Sequence, residues 1–307
     1  MSCTAEQPKQ SLIFDVITSK AMSNNFTRGI FMRPIDNIFS AKEPLVMAIV
    51  NVTDDSFYGA SRNHTGEDIE QRVSQALEDG VSLFDIGGYS SRPNAVHISL
   101  EEEWLRVELG LRSVRKVASD AMLSVDTFRS EIVRRAVEKF GDIIVNDISA
   151  GEQDDAMIDV VAKYNLPYIA MHMRGTPQTM QTLTSYEKDI TTEVCEYFAA
   201  KCQALRDRGV NKIILDPGFG FAKTLEQNYE LLAGLHRLCA MGYPVLAGLS
   251  RKSMIYRVLD STPEDSLAGT TALNWEALRQ GASILRVHDT REACDVVKLF
   301  KKYASVL

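Results

Sequence analysis

Three segments of the sequence place a carboxylate or an amide directly after an apolar run. Asp126 follows MLSV, Asn146 follows DIIV and Asp216 follows KIIL. A buried acid needs hydrogen-bond donors or a positive partner, because burying an unpaired charge is costly. Together these groups could bind a molecule with several N–H donors and an acceptor, such as the amide edge of a fused heterocycle.

A second group of residues is basic. Lys252 lies in the segment SRK, Arg286 and His288 belong to the segment RVH, and Arg92 follows DIGGYSS. Arginine can bind phosphate or carboxylate through two parallel hydrogen bonds, whereas lysine provides a mobile point charge. These residues predict a site for an anionic group, although a lone histidine such as His288 is more often structural.

Hard oxygen ligands lie near the start of the chain's periodic region. Asn51, Asp54 and Asp55 provide amide and carboxylate oxygens, which suit Mg²⁺ held partly by a substrate phosphate. An alternative is that the two acids only cap the loop. Similarly, Asp147 is expected to cap the helix that follows it, and Asp85 could hold a neighbouring loop backbone.

The segment LDPGFGFAKT, residues 215–224, is not a nucleotide-binding P-loop. A P-loop requires glycine at its first position and again before the lysine, and these positions hold Pro217 and Ala222. The segment instead predicts a buried strand that ends in an acid and continues into a glycine-containing loop close to a ligand.

These residues must be positioned by a repeating unit. From about Leu45, an apolar strand-like run followed by an amphipathic helical segment occurs eight times. Such alternation predicts parallel strands with right-handed crossovers, buried on both faces. Eight units over roughly 250 residues predict a single α/β domain, a (β/α)₈ TIM barrel, whose strand ends bring the polar residues to one rim. A doubly wound open sheet is the alternative.

The barrel domain is predicted over residues 44–307, after an N-terminal extension over residues 1–43. This extension could form a short hairpin that plugs the barrel bottom, or be partly disordered. Apolar positions in the last helices could serve a dimer or simply pack on the barrel. They are Leu273, Trp275, Val296, Val297 and Phe300.

Composition excludes several classes of protein. The net charge of -7 argues against nucleic-acid binding, and no apolar run approaches the ~20 residues that span a membrane. The N-terminus has no secretory signal pattern, and the five cysteines form no Cys-x-x-Cys pair. We therefore expect a cytoplasmic protein that acts on a small molecule.

Eight motifs, in this order, make the sequence resemble the dihydropteroate synthase family from about Arg33 onward. They are IVNVTDDSF, DIGGYSSRP, SVDT, VNDIS, MHMRGTP, LDPGFGFAKT, GLSRKS and RVHD. The resemblance implies a TIM barrel that joins 4-aminobenzoate to the methylene group of a dihydropterin diphosphate. The products would be 7,8-dihydropteroate and diphosphate, and the cofactor would be Mg²⁺. Sulfonamides would be possible competitive inhibitors, and the protein would form a homodimer.

The resemblance also implies roles for individual residues. The pterin would contact Asp126, Asn146, Met171, Asp216, Phe219 and Lys252. The diphosphate would contact Asn51, Arg92, Arg286 and His288, and Mg²⁺ would contact Asn51 and Asp55. The 4-aminobenzoate would lie near Phe57, Ser91, Arg92, Pro93 and Ser250. The catalytic residues would be Asp126, Asp216, Lys252, Arg286 and His288.

The sequence departs from the family pattern in two loops. Asp54 stands where the family usually has proline, and Tyr58-Gly59-Ala60 replaces a second acid. Tyr89-Ser90-Ser91 stands where the family usually has Glu-Ser-Thr, and Asn94 replaces a glycine. Two alternatives are weighed. A methyltetrahydrofolate-binding domain of the methyltransferase type would need no diphosphate site, so the segments SRK and RVH argue against it. The departures in the first loop keep open a non-catalytic pterin-binding paralogue.

Overall fold

The computed structural model describes residues 35, 37–40, 43–52, 66–90 and 96–306. Eight parallel strands run through this part of the chain. They are β1 (Leu45–Asn51), β2 (Leu83–Gly87), β3 (Met122–Asp126), β4 (Ile144–Asp147), β5 (Tyr168–Met171), β6 (Ile213–Asp216), β7 (Leu246–Ala247) and β8 (Ile284–Val287).

The strands form one sheet in the order β6-β5-β4-β3-β2-β1-β8-β7. The two ends of this sheet meet, because Leu215 of β6 forms a parallel bridge with Val245 just before β7. The Leu215 amide also donates a 2.9 Å hydrogen bond to the Pro244 carbonyl. The predicted (β/α)₈ TIM barrel is thus confirmed.

Helices alternate with the strands. They are α1 (Asn37–Ser40), α2 (Gly66–Asp79), α3 (Leu100–Val117), α4 (Ser130–Phe140), α5 (Met157–Tyr164), α6 (Ile190–Asp207), α7 (Leu225–Ala233), α8 (Leu235–Cys239), α9 (Ser253–Tyr256), α10 (Leu267–Arg279) and α11 (Thr290–Ala304). In α2, the buried residues Ile69, Val73 and Ala76 recur at helical spacing and face the strands. No helix in the described part of the chain is long and apolar enough to cross a bilayer.

The strands separate two apolar cores. Side chains of successive strand residues point to opposite faces, so alternate residues enter the barrel. Outward residues such as Phe84, Val145 and Leu285 join the large core under the helices. Inward residues at the N-terminal ends of the strands form a second cluster that includes Met47, Leu83, Ile144, Ile169, Ile214, Leu246 and Ile284.

Two residues before β1 complete this inner cluster. Ile35 and Ile38 are 3% and 4% exposed and pack against the inward side chains at the barrel bottom. Together these side chains form an apolar floor, to which Ile35 and Ile38 contribute from the extension that could form a plug or be partly disordered. The domain boundary at residue 44 stays a prediction, and residues 1–34 lie outside the described residues.

Two local features depend on contacts between elements, and the second overturns the expected role of Asp147. After β6, the helical segment breaks at Gly234, between α7 and α8. A Cβ at Gly234 would lie 2.5 Å from Thr191 Oγ1, so α6 leaves room only for glycine there. Asp147 does not cap α5, whose first residue is Met157. Its carboxylate accepts hydrogen bonds from the Ser149 and Gly151 amides and organises a turn instead.

The apolar positions considered for a dimer pack on the barrel. Val296 and Val297 belong to the outer core, and Trp275 meets Phe300 edge-on with ring centroids 5.6 Å apart. Leu273 also packs against this core. The packing therefore explains these residues without a second copy of the chain, and the homodimer stays a prediction.

Candidate active site

A buried ion-pair network lies inside the barrel above the apolar floor. Asp85 on β2 is 0% exposed and accepts hydrogen bonds from Ser124 Oγ at 2.5 Å, Asn146 Nδ2 at 3.0 Å and Arg286 Nε at 2.6 Å. Arg286 Nη2 donates to Asp126 Oδ2, also at 2.6 Å. These side chains share the barrel interior because alternate residues of neighbouring strands point inward.

The network contains two carboxylates and one guanidinium. Burial raises the pKa of Asp126 to about 7, opposed by Arg286 and reinforced by the nearby charge of Asp85. One positive charge cannot fully compensate two buried negative charges, so a proton or another cation near Asp126 is favoured. Asp85 does not hold a loop backbone, as the sequence suggested it could; it anchors Arg286.

A second acid–base pair lies across the barrel mouth. Asp216 ends β6, and its Oδ1 accepts a 2.8 Å hydrogen bond from the Gly218 amide. Lys252 Nζ donates to the Phe219 carbonyl and lies 5.0 Å from the centroid of the Phe221 ring. Burial raises the pKa of Asp216 and lowers that of Lys252 to about 8, and each charge counteracts the other's shift.

The loop after β6 takes its shape from glycine. Gly218 has φ +67°, and a Cβ there would lie 2.1 Å from the His172 carbonyl oxygen. The Gly220 amide donates a 2.6 Å hydrogen bond to Asn228 Oδ1 on α7. Thr224 and Gln227 then form a capping box that starts this helix. The glycines of LDPGFGFAKT therefore let the loop cross β5 closely and return to α7.

Polar groups from the loop after β7 and from the end of β8 form the neighbouring part of the mouth. Ser250 Oγ lies 3.1 Å from His288 Nδ1 and accepts a 3.2 Å hydrogen bond from the His288 amide. Burial, and then Arg286, lower the pKa of His288 to about 3. His288 is consequently neutral at pH 7, whereas the sequence grouped it with the cations. Near His288, Arg251 donates two hydrogen bonds to the Asp289 carboxylate, at 2.9 and 2.7 Å.

These neighbouring groups border one cleft, whose lining includes Phe219, Ser250, Lys252 and His288. Met171 is buried beside Ile148 and Met173 at the end of β5. In the strand registers, Asp126 aligns with Asn146, and Met171 aligns with Asp216. The structure therefore brings together the residues predicted for pterin at the C-terminal ends of the strands.

Asn51 ends β1 beside the Asp126 side of the mouth. A Cβ at Gly87 would lie 3.4 Å from Asn51 Oδ1 and 3.5 Å from Asp126 Cβ, so Gly87 separates these two side chains closely. Among the described residues, no group of three or more His, Cys, Asp or Glu could hold a metal ion. The Asn51 side-chain oxygen therefore fits a cation that is held by one amide oxygen and by the phosphate of a ligand, rather than one enclosed by protein ligands.

The remaining predicted contacts lie outside the described residues. They are Asp55, Phe57, Ser91, Arg92 and Pro93. The chain on both sides of 91–95 is braced by a buried ion pair. Arg129 Nη1 donates to Glu103 Oε2 at 2.8 Å, and its Nη2 donates to the Ile98 carbonyl at 2.9 Å. Glu103 is 0% exposed, and the Arg129 guanidinium lies 5.4 Å from the Tyr89 ring centroid.

Sequence reasoning missed two further residues of this region, His172 and Lys223. Lys223 Nζ is buried and lies 3.0 Å from His172 Nδ1. The sequence offered a signal, since both residues stand in motifs that were singled out, MHMRGTP and LDPGFGFAKT. The P-loop comparison assigns no role to Lys223, because its contact with His172 forms only in the folded barrel.

Comparison with known proteins identifies the family. Residues 47–288 match the family described as pterin binding enzyme, and the chain belongs to that family. A dihydropteroate synthase from Synechocystis is 40% identical over 84% of this chain and 89% of its own length. A folic acid synthesis protein from Schizosaccharomyces pombe is 41% identical over 82% of this chain, which spans only 35% of that larger protein.

Solved structures of dihydropteroate synthases share the fold. The Yersinia pestis enzyme in a sulfonamide drug complex has a TM-score of 0.81 and 34% identity, covering 87% of this chain and 96% of its own. The Xanthomonas albilineans enzyme with 4-aminobenzoic acid has a TM-score of 0.79 and 36% identity, covering 87% and 95%. The same enzyme in complex with 7,8-dihydropteroate has a TM-score of 0.76 and 34% identity, with the same coverage.

Proposed function

We infer that this protein is a dihydropteroate synthase, which joins 4-aminobenzoate to 6-hydroxymethyl-7,8-dihydropterin diphosphate and releases diphosphate. The observation that carries this inference is the convergence of Asp126, Asn146, Asp216 and Lys252 at the C-terminal ends of the strands, where Arg286 interacts with both acids. Bacterial relatives named dihydropteroate synthase, 36–40% identical to this chain over most of its length, support it. Enzymes of that name bind 4-aminobenzoic acid and 7,8-dihydropteroate in solved structures.

The pterin lies deepest in the mouth. Its N–H groups donate to Asp126 and Asp216, and Asn146 completes the polar edge. Met171 and Phe219 supply apolar contacts for the faces of the ring, and Lys252 provides a donor. This arrangement satisfies the buried acids, which require donors or positive charge.

Charge stabilisation explains the reaction. The bond between the methylene carbon and the diphosphate oxygen breaks, its electrons leave with diphosphate, and the methylene cation is delocalised into the pterin ring. Asp126 and Asp216 stabilise this positive charge where it develops. The neutral amine of 4-aminobenzoate then forms the new C–N bond and loses a proton to diphosphate or solvent.

The leaving diphosphate is placed beside Arg286, His288 and Asn51, with Arg92 as a further contact. Neutral His288 offers a hydrogen bond there, and Arg286 offers charge. Mg²⁺ would be held by Asn51 and Asp55 and, when bound, would neutralise part of the diphosphate charge. The 4-aminobenzoate would lie between Ser250 and the segment that carries Ser91, Arg92 and Pro93, with Phe57 nearby.

Other properties follow from this assignment. Sulfonamides would compete with 4-aminobenzoate, as a drug of this class binds the Yersinia pestis relative. We also propose that the protein acts in the cytoplasm as a homodimer and requires neither nucleic acid nor membrane. Gel filtration with light scattering tests the dimer directly.

Diphosphate release by the purified protein tests the activity. The assay contains dihydropterin diphosphate and Mg²⁺, with and without 4-aminobenzoate. We expect turnover that depends on 4-aminobenzoate, falls on chelation of Mg²⁺ and is lost in Lys252→Ala. Lys298→Ala is a matched control, because Lys298 is an exposed lysine that pairs with Asp295 on the same helix. Pterin binding without turnover would contradict the assignment and indicate a non-catalytic paralogue.

A further inference from the structure

The side chain of Lys223 is buried and fully engaged in hydrogen bonds. It is 6% exposed, and its Nζ lies 3.0 Å from His172 Nδ1, the Gly218 carbonyl and the Phe221 carbonyl. An ammonium group has three N–H donors and no acceptor, so these three partners use all of them. A neutral amine has only two N–H groups and would leave one acceptor without its donor.

The three partners of Lys223 lie in two segments that meet where the loop after β6 crosses β5. Gly218 and Phe221 belong to this loop, and His172 follows β5. Gly218 supplies the amide that binds Asp216, and the neighbouring Phe219 supplies the carbonyl that binds Lys252. His172 follows β5, and its amide donates a 3.0 Å hydrogen bond to the Asp216 carbonyl. Lys223 therefore ties the loop after β6 to the end of β5, at the point where the loop presents two proposed pterin contacts.

The charged and titratable groups around Lys223 and His172 come from several elements. Asp216 and Lys252 face Lys223; burial lowers the pKa of Lys223 to about 7, Lys252 lowers it further and Asp216 opposes the shift. Tyr186, Tyr197 and Arg174 surround His172, whose pKa is lowered to about 2 by burial and by Lys223. His172 is thus neutral, and its Nδ1 accepts a hydrogen bond from the Lys223 ammonium, which places the ring proton on Nε2.

We propose that Lys223 and His172 are positioning residues for pterin binding: the Lys223 ammonium holds residues 217–223 in the shape that presents Asp216 and Phe219, and loss of its proton loosens this loop. The inference rests on the proposed function, because it assigns the pair to the pterin side of that site. Neither residue is required to touch the substrate. A lysine that merely fills space would not make pterin affinity depend on its protonation.

The proposal predicts how pterin affinity depends on pH. Asp126 favours binding as pH rises, whereas Lys223 opposes it once its ammonium is lost. Lys252, whose pKa lies near 8, deprotonates at higher pH than Lys223, whose pKa lies near 7. Removing Lys223 should therefore lower affinity at pH 6.5 and leave an alkaline decline that begins at higher pH than in the unaltered protein.

Titration of the full-length protein with dihydropterin diphosphate, from pH 6 to pH 9, provides the test. We expect Lys223→Met to weaken pterin binding about tenfold at pH 6.5, equivalent to losing one charged hydrogen bond. The KM for 4-aminobenzoate should change less than about twofold, and the alkaline limb should move upward. Lys298→Met is the control for loss of a lysine charge. Unchanged pterin affinity with an unmoved alkaline limb overturns the proposal.

A second pair of variants decides the matter if Lys223→Met does not fold. His172→Gln retains an acceptor for Lys223, whereas His172→Leu removes it. We expect His172→Gln to bind pterin within about threefold of the unaltered protein and His172→Leu to bind about tenfold more weakly. Equal affinity in both variants contradicts the proposal. Failure of the unaltered protein to bind the pterin would instead contradict the proposed function.

Discussion

Arg286 and Asp126 form a 2.6 Å ion pair inside the barrel, and the same guanidinium is also bound by Asp85. The group as a whole carries one more negative than positive charge when both acids are ionised. A substrate that becomes cationic during the reaction supplies the missing positive charge. The charge of the network is thus complementary to the cationic transition state rather than to the neutral substrate.

Asp126 should impose an acid limit on activity. Its pKa is raised to about 7 by burial, so it is ionised above this pH and protonated below it. We expect kcat/KM for the pterin substrate to fall as pH decreases through about 7. Asp126→Asn should lower kcat on the order of 10²–10³-fold and remove this limb. A pH–rate profile that is unchanged in Asp126→Asn would contradict the assignment.

Asp85→Asn should shift the acid limit without removing a substrate contact. The Asp85 charge raises the pKa of Asp126, so its removal lets Asp126 ionise at lower pH and leaves Arg286 to pair with Asp126 alone. We expect the acid limb to move to lower pH, with a stability loss on the order of 1–3 kcal/mol measured by urea unfolding. An acid limb that stays in place or moves upward would refute this coupling.

Gly218→Ala should damage the site, because its new Cβ would collide with a backbone oxygen. The calculated approach to the His172 carbonyl is 2.1 Å, which requires the loop to move. We expect a loss of about 3 kcal/mol in unfolding free energy together with weaker pterin binding. Gly242→Ala is the matched control, since Gly242 has φ +83° but no atom within 4 Å of its Cβ position. It should cost roughly 1–2 kcal/mol from backbone strain alone and leave binding unchanged.

Arg129→Met should destabilise the fold through its buried partner. Glu103 is 0% exposed, and this substitution removes the charge that compensates it. The expected loss is about 3–5 kcal/mol, measured by urea unfolding at pH 7. Arg112→Met removes an exposed helical pair with Glu108 and should cost below about 1 kcal/mol. Similar losses in the two variants would show that the buried pair has no special role.

The sequence predicted the parts of the molecule that follow from local periodicity. Eight apolar runs sufficed for the barrel, and strand ends sufficed to group Asp126, Asn146 and Asp216. Long-range pairing was inaccessible, because Arg286 and Asp85 are 201 positions apart and only barrel closure brings them together. The same limit applies to the break between α7 and α8 at Gly234, which depends on the approach of Thr191 from α6.

The protonation state of His288 was another property that sequence could not supply. Its type suggested a cation, whereas burial beside Arg286 keeps it neutral. The contact between Lys223 and His172 was also inaccessible, because His172 follows β5 and Lys223 lies in the loop after β6. Residues that act through tertiary contacts are therefore the ones that motif reading overlooks.

The apolar floor formed by Ile35, Ile38 and the inward residues around them has a kinetic consequence. Because apolar side chains close this end of the barrel, a ligand that binds deep in the barrel must enter before a ligand that binds near the open end, and must leave after it. If the pterin binds deep in the barrel and 4-aminobenzoate binds near the open end, the two substrates bind in a compulsory order. An analogue of 4-aminobenzoate bound near the open end would then prevent the pterin from dissociating.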